Sequence, residues 1–182
     1  FTTDAELLDM YSKRPDAFNE DELLRVASLA TDDQQRKAVY TTLMKYFPQS
    51  AVGANNLAVL YLREGNADEA QRVLSSQKQY TPEQLNTLAA AYVYAGNYER
   101  AVELLQDVTL PEARYNLGLI KAKQRRLAEA YTLLHTYGDT NSAIIALSLN
   151  KNLEAQTIMQ GVKSATPLAE YVRALIAARF KQ

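Results

Sequence analysis

The sequence has 182 residues, of which 47% are hydrophobic and 23% are charged. These proportions are close to the globular average and exclude a disordered chain. Lys and Arg total 20 against 21 Asp and Glu, a formal net charge of −1, so no global field draws the chain to nucleic acid or to an anionic membrane. Cysteine is absent, which excludes disulfides, thiolate metal sites and cysteine nucleophiles.

The longest apolar segments, residues 85–95 and 143–149, are shorter than the ~20 residues that a membrane-spanning helix needs. We therefore expect no direct membrane span. The sequence begins at Phe1 rather than Met, which favours a processed form or an excised piece. A signal peptide or lipid anchor would then have been removed with the N-terminus.

Residues 1–50 predict a short helix followed by a degenerate helical pair. The first helix, residues 4–12, is expected to end at residues 13–16, where Pro15 interrupts the helical pattern. The pair consists of residues 20–29 and 34–47. It lacks the glycine and the small residues that mark the copies further along the chain.

A repeated pattern occupies residues 51–137. The first copy reads NLAVLYLREGN from residue 56, and the second reads TLAAAYVYAGN from residue 87. In a third copy, which begins at Asn116, Lys121 stands in the tyrosine position and Arg125 in the glycine position. The copies are offset by 31 and 29 residues, and a weaker fourth copy follows after another 25.

Each copy has the periodicity of a helical hairpin. One face of the first helix carries residues at i, i+3, i+4 and i+7, namely Ala54, Leu57, Ala58 and Tyr61. Gly65 and Gly96 follow the first helices, where glycine can adopt the left-handed conformation that ends a helix. A single hairpin cannot bury its apolar face, so the hairpins must stack. Small residues are expected at the close contacts: Ala58, Ala70, Ala89, Ala101 and Ala130.

The pattern resembles the tetratricopeptide repeat, whose usual period is about 34 residues. The shared features are Leu-Gly/Ala-x-x-Tyr, the Gly-Asn turn, a later alanine and a closing proline, here Pro82 and Pro111. The resemblance implies an all-α fold, a right-handed α-solenoid of antiparallel helical hairpins. We expect one domain over residues 1–182, with three clear repeats at 51–137.

Residues 138–182 predict a shortened repeat, with helices at 141–149 and 153–163, and a C-terminal capping helix at 168–180. The sequences NSAIIALSLN at 141–150 and EYVRA at 170–174 are also similar to repeat regions of cell-envelope proteins from Bacteroides-like bacteria. Some of those proteins carry an OmpA-type peptidoglycan-binding module. This similarity implies a bacterial periplasmic or outer-membrane-associated location, with the cytoplasm as the alternative.

Catalytic and cofactor motifs are not evident. His135 is the sole histidine, and it belongs to no His/Glu pair spaced for a metal. The sequence contains no Gly-rich phosphate loop and no nucleophile elbow. We expect no enzyme activity, no cofactor and no metal. The densest positive run, from Lys121 to Arg126, is interpreted as a solvated turn rather than a nucleic-acid surface.

The resemblance implies that the first helices of successive repeats line a concave groove that binds a partner. Asparagine side chains there can satisfy a peptide backbone, and tyrosine and leucine can anchor apolar groups. The lysine positions of the family's carboxylate clamp hold Asn55 and Glu112, so acidic chaperone tails are not expected. The expected groove residues are Asn55, Asn56, Val59, Arg63, Asn86, Ala90, Tyr94, Tyr115, Asn116, Leu119 and Lys123.

These features predict a non-enzymatic protein-protein interaction module in a bacterial envelope assembly, with a protein or peptide as its partner and no nucleic acid. The alternative is an architectural spacer that packs against other domains of the same parent chain. Concave repeat surfaces commonly bind partners, which favours the first hypothesis.

Overall fold

The computed structural model describes residues 2–181. This part of the chain contains twelve α-helices and no β-strand. The prediction of an all-α fold is confirmed. Phe1 and Gln182, the ends of the predicted domain, lie outside the described residues. The helices are α1 Asp4–Lys13, α2 Glu20–Ser28, α3 Asp33–Tyr46, α4 Ala51–Arg63, α5 Ala67–Ser75, α6 Pro82–Tyr94, α7 Tyr98–Leu105, α8 Pro111–Lys123, α9 Leu127–Leu134, α10 Thr140–Ser148, α11 Asn152–Gly161 and α12 Pro167–Phe180.

Side-chain caps determine where many of these helices begin. Thr3, Asn19, Thr81 and Asp139 each form a capping box, in which the cap side chain and the third helical side chain satisfy each other's backbone amides. The helices predicted outside the repeat region start and end within two residues of their expected positions.

The helices form two compact units, an N-terminal unit up to Arg100 and a C-terminal unit from Ala101. In the N-terminal unit α2 packs on α3, α4 packs on α5, and α6 packs on both α4 and α5. In the C-terminal unit α8 packs on α9, α10 packs on α11, and α12 packs on both α10 and α11. Helices that follow one another along the chain therefore pair as hairpins within each unit.

The small residues expected at close contacts are buried. Ala58, Ala70, Ala89, Ala101 and Ala130 are each at most 1% exposed, as predicted. The third copy carries a glycine in the equivalent position, residue 118, where a Cβ would lie 2.6 Å from the side chain of Leu134. The contact between α8 and α9 is therefore too close even for alanine.

The two predicted glycine turns are confirmed. Gly65 has a φ of +78° and Gly96 a φ of +83°. After α4, the N–H of Asn66 donates to the carbonyl of Tyr61, and the N–H of Gly65 donates to the carbonyl of Leu62. These two bonds form a Schellman motif, which satisfies carbonyl groups that the end of the helix leaves free.

The same motif occurs in the C-terminal unit without glycine. Arg125 and Asn150 have φ values of 64° and 59°. The N–H of Arg126 donates to Lys121, and the N–H of Lys151 donates to Ala146. The left-handed residues of these four turns, Gly65, Gly96, Arg125 and Asn150, are separated by 31, 29 and 25 residues. These intervals equal the sequence offsets, so the shortened fourth repeat is present.

Within residues 2–181, none of the helices combines the length and the apolar character that crossing a bilayer requires.

Candidate functional site

The first helices of the three clear repeats and the C-terminal helix α12 present equivalent residues. Helices α4, α6, α8 and α12 each begin one residue after the cap position, at Ala51, Pro82, Pro111 and Pro167. Residues one, four, eight and twelve positions further on share a helix face, and we call them the first-helix stripe. None is buried. The stripe comprises Val52, Asn55, Val59 and Arg63; Glu83, Asn86, Ala90 and Tyr94; Glu112, Tyr115, Leu119 and Lys123; and Leu168, Tyr171, Leu175 and Arg179.

Two asparagines of α4 form hydrogen bonds to neighbouring helices. The hydroxyl of Thr87 on α6 donates to Oδ1 of Asn55 at 2.6 Å. Nδ2 of Asn56, which flanks the stripe, donates to the hydroxyl of Tyr40 on α3 at 2.9 Å. Both asparagines are half-buried. Each therefore uses one polar atom to hold α4 against a neighbouring helix. The sequence pattern alone predicts both side chains to be fully available to a partner.

Tyr94 is the most exposed large hydrophobic residue among the predicted groove residues, with 62% of its surface accessible. Its hydroxyl lies against the first glycine turn, because a Cβ on Gly65 would be only 2.7 Å from that oxygen. Glycine at this position therefore serves two purposes, the positive φ and the room for Tyr94. Asn86 and Ala90, on the same helix, are half-buried and exposed respectively.

A cavity of about 290 Å³ opens between α3 and α4 in the N-terminal unit. Three predicted groove residues line it, Asn56, Val59 and Arg63, together with Arg36, Tyr40 and Leu60. Sequence reasoning missed Arg36 and Tyr40, since they belong to the degenerate pair, where no repeat motif marks the inner positions.

Arginine side chains at this cavity share one carboxylate. Arg36 donates from Nη1 to Asp33 at 2.8 Å, and Arg63 lies 3.4 Å from the same carboxylate. Arg36 also donates from Nη2 to the carbonyl of Ala30 at 3.0 Å. Beside them, Nζ of Lys37 contacts Glu64 at 2.7 Å. This bond is the largest cause that raises the pKa of Lys37.

Tyr115 on α8 has its hydroxyl fully used inside the C-terminal unit. It donates to the carboxylate of Asp139 and accepts from Nδ2 of Asn141 at 2.9 Å. Its ring meets that of Tyr137 edge to face, with centroids 4.8 Å apart. Burial, followed by the bond to Asp139, raises the pKa of Tyr115. A partner could therefore meet the edge of this ring but would have to compete for its hydroxyl.

The remaining predicted groove residues of α8 differ in exposure. Leu119 packs against the buried cluster of Ala130, Leu134 and Ile145. Lys123 is exposed, and Asn116 is half-buried.

Helix α12 carries stripe residues that the sequence reading missed. Leu168, Tyr171 and Leu175 are 48%, 61% and 39% exposed. The signal was present, because Pro167 starts α12 just as Pro82 starts α6. The interpretation of this helix as a cap with a polar outer face directed attention away from its apolar positions.

Solved structures resemble this arrangement over most of its length. A tetratricopeptide repeat protein from Parabacteroides merdae matches with a TM-score of 0.74 and 16% identity, over 97% of this chain and 78% of its own. PilF from Pseudomonas aeruginosa matches with a TM-score of 0.72 and 20% identity, over 89% and 84% of the two chains. YrrB, a tetratricopeptide repeat protein described as having an unusual peptide-binding site, matches with a TM-score of 0.65 and 14% identity, over 92% and 97%.

The chain has the tetratricopeptide-repeat fold. No protein-family model matches the sequence, and no curated protein matches it. The structural match therefore establishes the fold where sequence similarity is too low to do so.

In this tetratricopeptide-repeat fold, the other polar candidates from the sequence have local partners. Nζ of Lys121, in the tyrosine position of the third copy, contacts Glu129 at 2.9 Å, and Arg126 lies 3.9 Å from the same carboxylate. The bond with Lys121 is the main cause that lowers the pKa of Glu129. His135 is exposed, and its Nδ1 lies 2.9 Å from the carbonyl of Tyr131. Over residues 2–181, no group of three or more His, Asp or Glu side chains could hold a metal ion.

Proposed function

We propose that this chain is a non-enzymatic module that binds a peptide or protein segment through the stripe residues of its N-terminal unit, on α4 and α6. The observation that carries the proposal is the recurrence of accessible polar and aromatic residues at equivalent positions of α4, α6, α8 and α12. Exposed side chains on successive first helices are the kind of surface with which repeat proteins bind their partners. The fold shared with YrrB, whose description includes a peptide-binding site, supports the same function.

The chemistry of the stripe suits an extended segment. Asn55 keeps its Nδ2 for a ligand, since only its Oδ1 bonds to another of the described residues. An amide group of this kind can pair with a peptide backbone. Tyr94, on the next first helix, offers a large ring that is 62% exposed, and aromatic rings of this kind are frequent anchors in interfaces.

We further propose a bacterial envelope setting, in the periplasm or at the outer membrane. The support is the similarity of residues 141–150 and 170–174 to repeat regions of envelope proteins. Fractionation of cells that express the natural gene, followed by immunoblotting, tests this location. Recovery of the protein in the cytoplasmic fraction alone would contradict it.

Site-specific photo-crosslinking tests the binding function. A benzoylphenylalanine residue replaces Tyr94 on the stripe or, as a control, the exposed Asp68 on the second helix α5. We expect position 94 to crosslink a discrete protein in native cells and position 68 not to do so. Equal crosslinking from both positions, or none from position 94, would contradict the proposal.

A second candidate function is that of a spacer that packs against other domains of its parent chain. The exposed apolar residues of α12, Leu168, Tyr171 and Leu175, favour it, because a contiguous apolar stripe is an expected packing surface. Crosslinking from position 171 distinguishes the two. Crosslinks only to segments of the same polypeptide favour the spacer, and crosslinks to a separate protein favour the partner-binding module.

A further inference from the structure

The cavity between α3 and α4 concentrates hydrogen-bond donors. Its lining consists of two guanidinium groups, a phenol, a primary amide and two aliphatic side chains, contributed by Arg36, Arg63, Tyr40, Asn56, Val59 and Leu60. At about 290 Å³, it has room for one carboxylate and part of an adjoining side chain. Its volume is at the lower end of the range for ligand pockets, ~300 Å³, which suits a small group better than a large molecule.

The two arginines are held differently. Arg36 is fixed by bonds to the carbonyl of Ala30 and to Asp33, and 29% of its side chain is exposed. Arg63 is 60% exposed, and its contact with Asp33 is long, at 3.4 Å. A guanidinium group has five donors in a planar fork that matches a carboxylate. Arg63 can therefore turn to an incoming anion while Arg36 keeps its place.

The phenol supplies a further donor. The hydroxyl of Tyr40 accepts from Nδ2 of Asn56 at 2.9 Å, which leaves its own proton for a second acceptor. Among the described residues no side chain or carbonyl takes that proton. Since Tyr40 is only 7% exposed, its position is fixed by packing, and the donor is held ready for a ligand.

The charge balance fits a single negative charge. The six lining residues carry two positive charges and no negative one, and Asp33 beside them cancels one. The adjoining pair of Lys37 and Glu64 is neutral as a pair. One positive charge is left in excess, and a dianionic phosphate would meet repulsion from Asp33 without full compensation.

We propose that this cavity is a subsite for one carboxylate of a bound peptide, with Arg63, Arg36 and Tyr40 as donors. Val59 and Leu60 form an aliphatic wall beside it, which suits a carboxylate next to an aliphatic side chain. The donors come from a second helix and the first helix that follows, unlike a clamp built on successive first helices. The proposal rests on the binding function above, since Asn56, Val59 and Arg63 also belong to the predicted groove.

Titration with simple carboxylates tests the subsite directly. The isotope-labelled protein is titrated with sodium acetate, and NMR follows the side-chain amide of Asn56 and the Nε–H signals of Arg36 and Arg63. Sodium chloride at matched ionic strength is the control. We expect saturable shifts of these signals with acetate and no saturable shift with chloride. Identical responses to the two salts, or tighter binding of inorganic phosphate than of acetate, would overturn the proposal.

Variants identify the donors. Arg63→Gln should weaken acetate binding about tenfold, because it removes a charged donor, while Tyr40→Phe removes only the phenolic donor and should weaken it less. The matched control is Arg14→Gln, which breaks another exposed Arg–Asp pair, with Asp16 at 3.2 Å. If Arg63→Gln folds normally by circular dichroism and binds acetate as well as Arg14→Gln does, the subsite is refuted.

Three tripeptides then separate the sources of the carboxylate. Acetyl-Ala-Ala-Leu with a free C-terminus carries an α-carboxylate, its amide carries none, and acetyl-Ala-Asp-Leu amide carries a side-chain carboxylate. We expect both acids to bind more tightly than the neutral amide, and the tighter acid shows which carboxylate the cavity prefers. Equal binding of all three would overturn the proposal. If position 94 crosslinks a partner but no carboxylate binds the cavity, the subsite is refuted and the partner-binding function stands. If acetate binds the cavity but position 94 crosslinks nothing, the partner-binding function is refuted instead.

Discussion

The first and third copies of the repeat use glycine differently at two equivalent points, the close contact inside the hairpin and the turn between its helices. In the N-terminal unit, α4 has Ala58 at the close helix contact and Gly65 at the turn. In the C-terminal unit, α8 has Gly118 at the contact and Arg125 at the turn, with a φ of 64°. The hydrogen bonds of the two turns are equivalent. The turn geometry is therefore imposed by the helix-end bonds and the packing, while glycine is needed where space is shortest.

The largest effect should come from filling the space at Gly118. Gly118→Ala would place a methyl group 2.6 Å from the buried side chain of Leu134 and should destabilise the fold by ~1–3 kcal/mol. The matched control is Gly161→Ala at the end of α11, where a Cβ meets nothing within 4 Å. We expect the control to be neutral or to stabilise by up to ~1 kcal/mol in urea unfolding. Equal effects of the two substitutions would contradict the claim that glycine is required at the contact between α8 and α9.

Substitution of the turn glycines should cost less. Gly96→Ala forces a Cβ into the left-handed region with no neighbour in reach, and we expect a loss of about 1 kcal/mol. Gly65→Ala should lose at least as much, because its Cβ also displaces the hydroxyl of Tyr94. Chemical unfolding of both variants checks this order. A smaller loss for Gly65→Ala than for Gly96→Ala would contradict it.

The reverse change at the third turn should stabilise. Arg125 is exposed and occupies a conformation that glycine adopts without strain. We expect Arg125→Gly to raise the unfolding free energy by about 0.5–1 kcal/mol, after the entropic cost of glycine in the unfolded chain is subtracted. Arg125→Ala, which keeps the strain and removes the charge, is the control and should not stabilise. If both variants gained stability, the increase would come from removal of the arginine charge and not from relief of backbone strain.

The smallest effect is expected at the fourth turn. Asparagine tolerates the left-handed region better than arginine, and Oδ1 of Asn150 accepts from Arg179 at 3.2 Å. Asn150→Gly relieves little strain and removes that bond, so the two contributions nearly cancel. We expect a change within about 0.5 kcal/mol in thermal or chemical unfolding. A gain as large as that of Arg125→Gly would show that the two turns do not differ.

The sequence predicts what local periodicity determines. The hairpins, the glycine turns and the buried alanines follow from spacing within about 30 residues, the length of one repeat. Asn150 was not recognised as a turn, because the helix before it is shortened and the residue is not glycine. The use of the Tyr115 hydroxyl and the cavity beside Tyr40 could not be read from the pattern. Both depend on partners distant in the sequence, Asp139 at the cap of α10 and Asn56 on α4.

The central claim is that the first-helix stripe of the N-terminal unit binds the partner. A matched pair of tyrosine substitutions tests this claim most directly. Tyr94 lies on the stripe, whereas Tyr80, which is 41% exposed, precedes α6 and lies outside it. The partner that crosslinks to position 94 is first purified. Tyr94→Ala should then weaken the binding of this partner by more than ~1 kcal/mol, and Tyr80→Ala should leave the affinity unchanged. Unfolding measurements confirm that both variants are folded. Full affinity of Tyr94→Ala, or an equal loss in Tyr80→Ala, would contradict the assignment of the stripe.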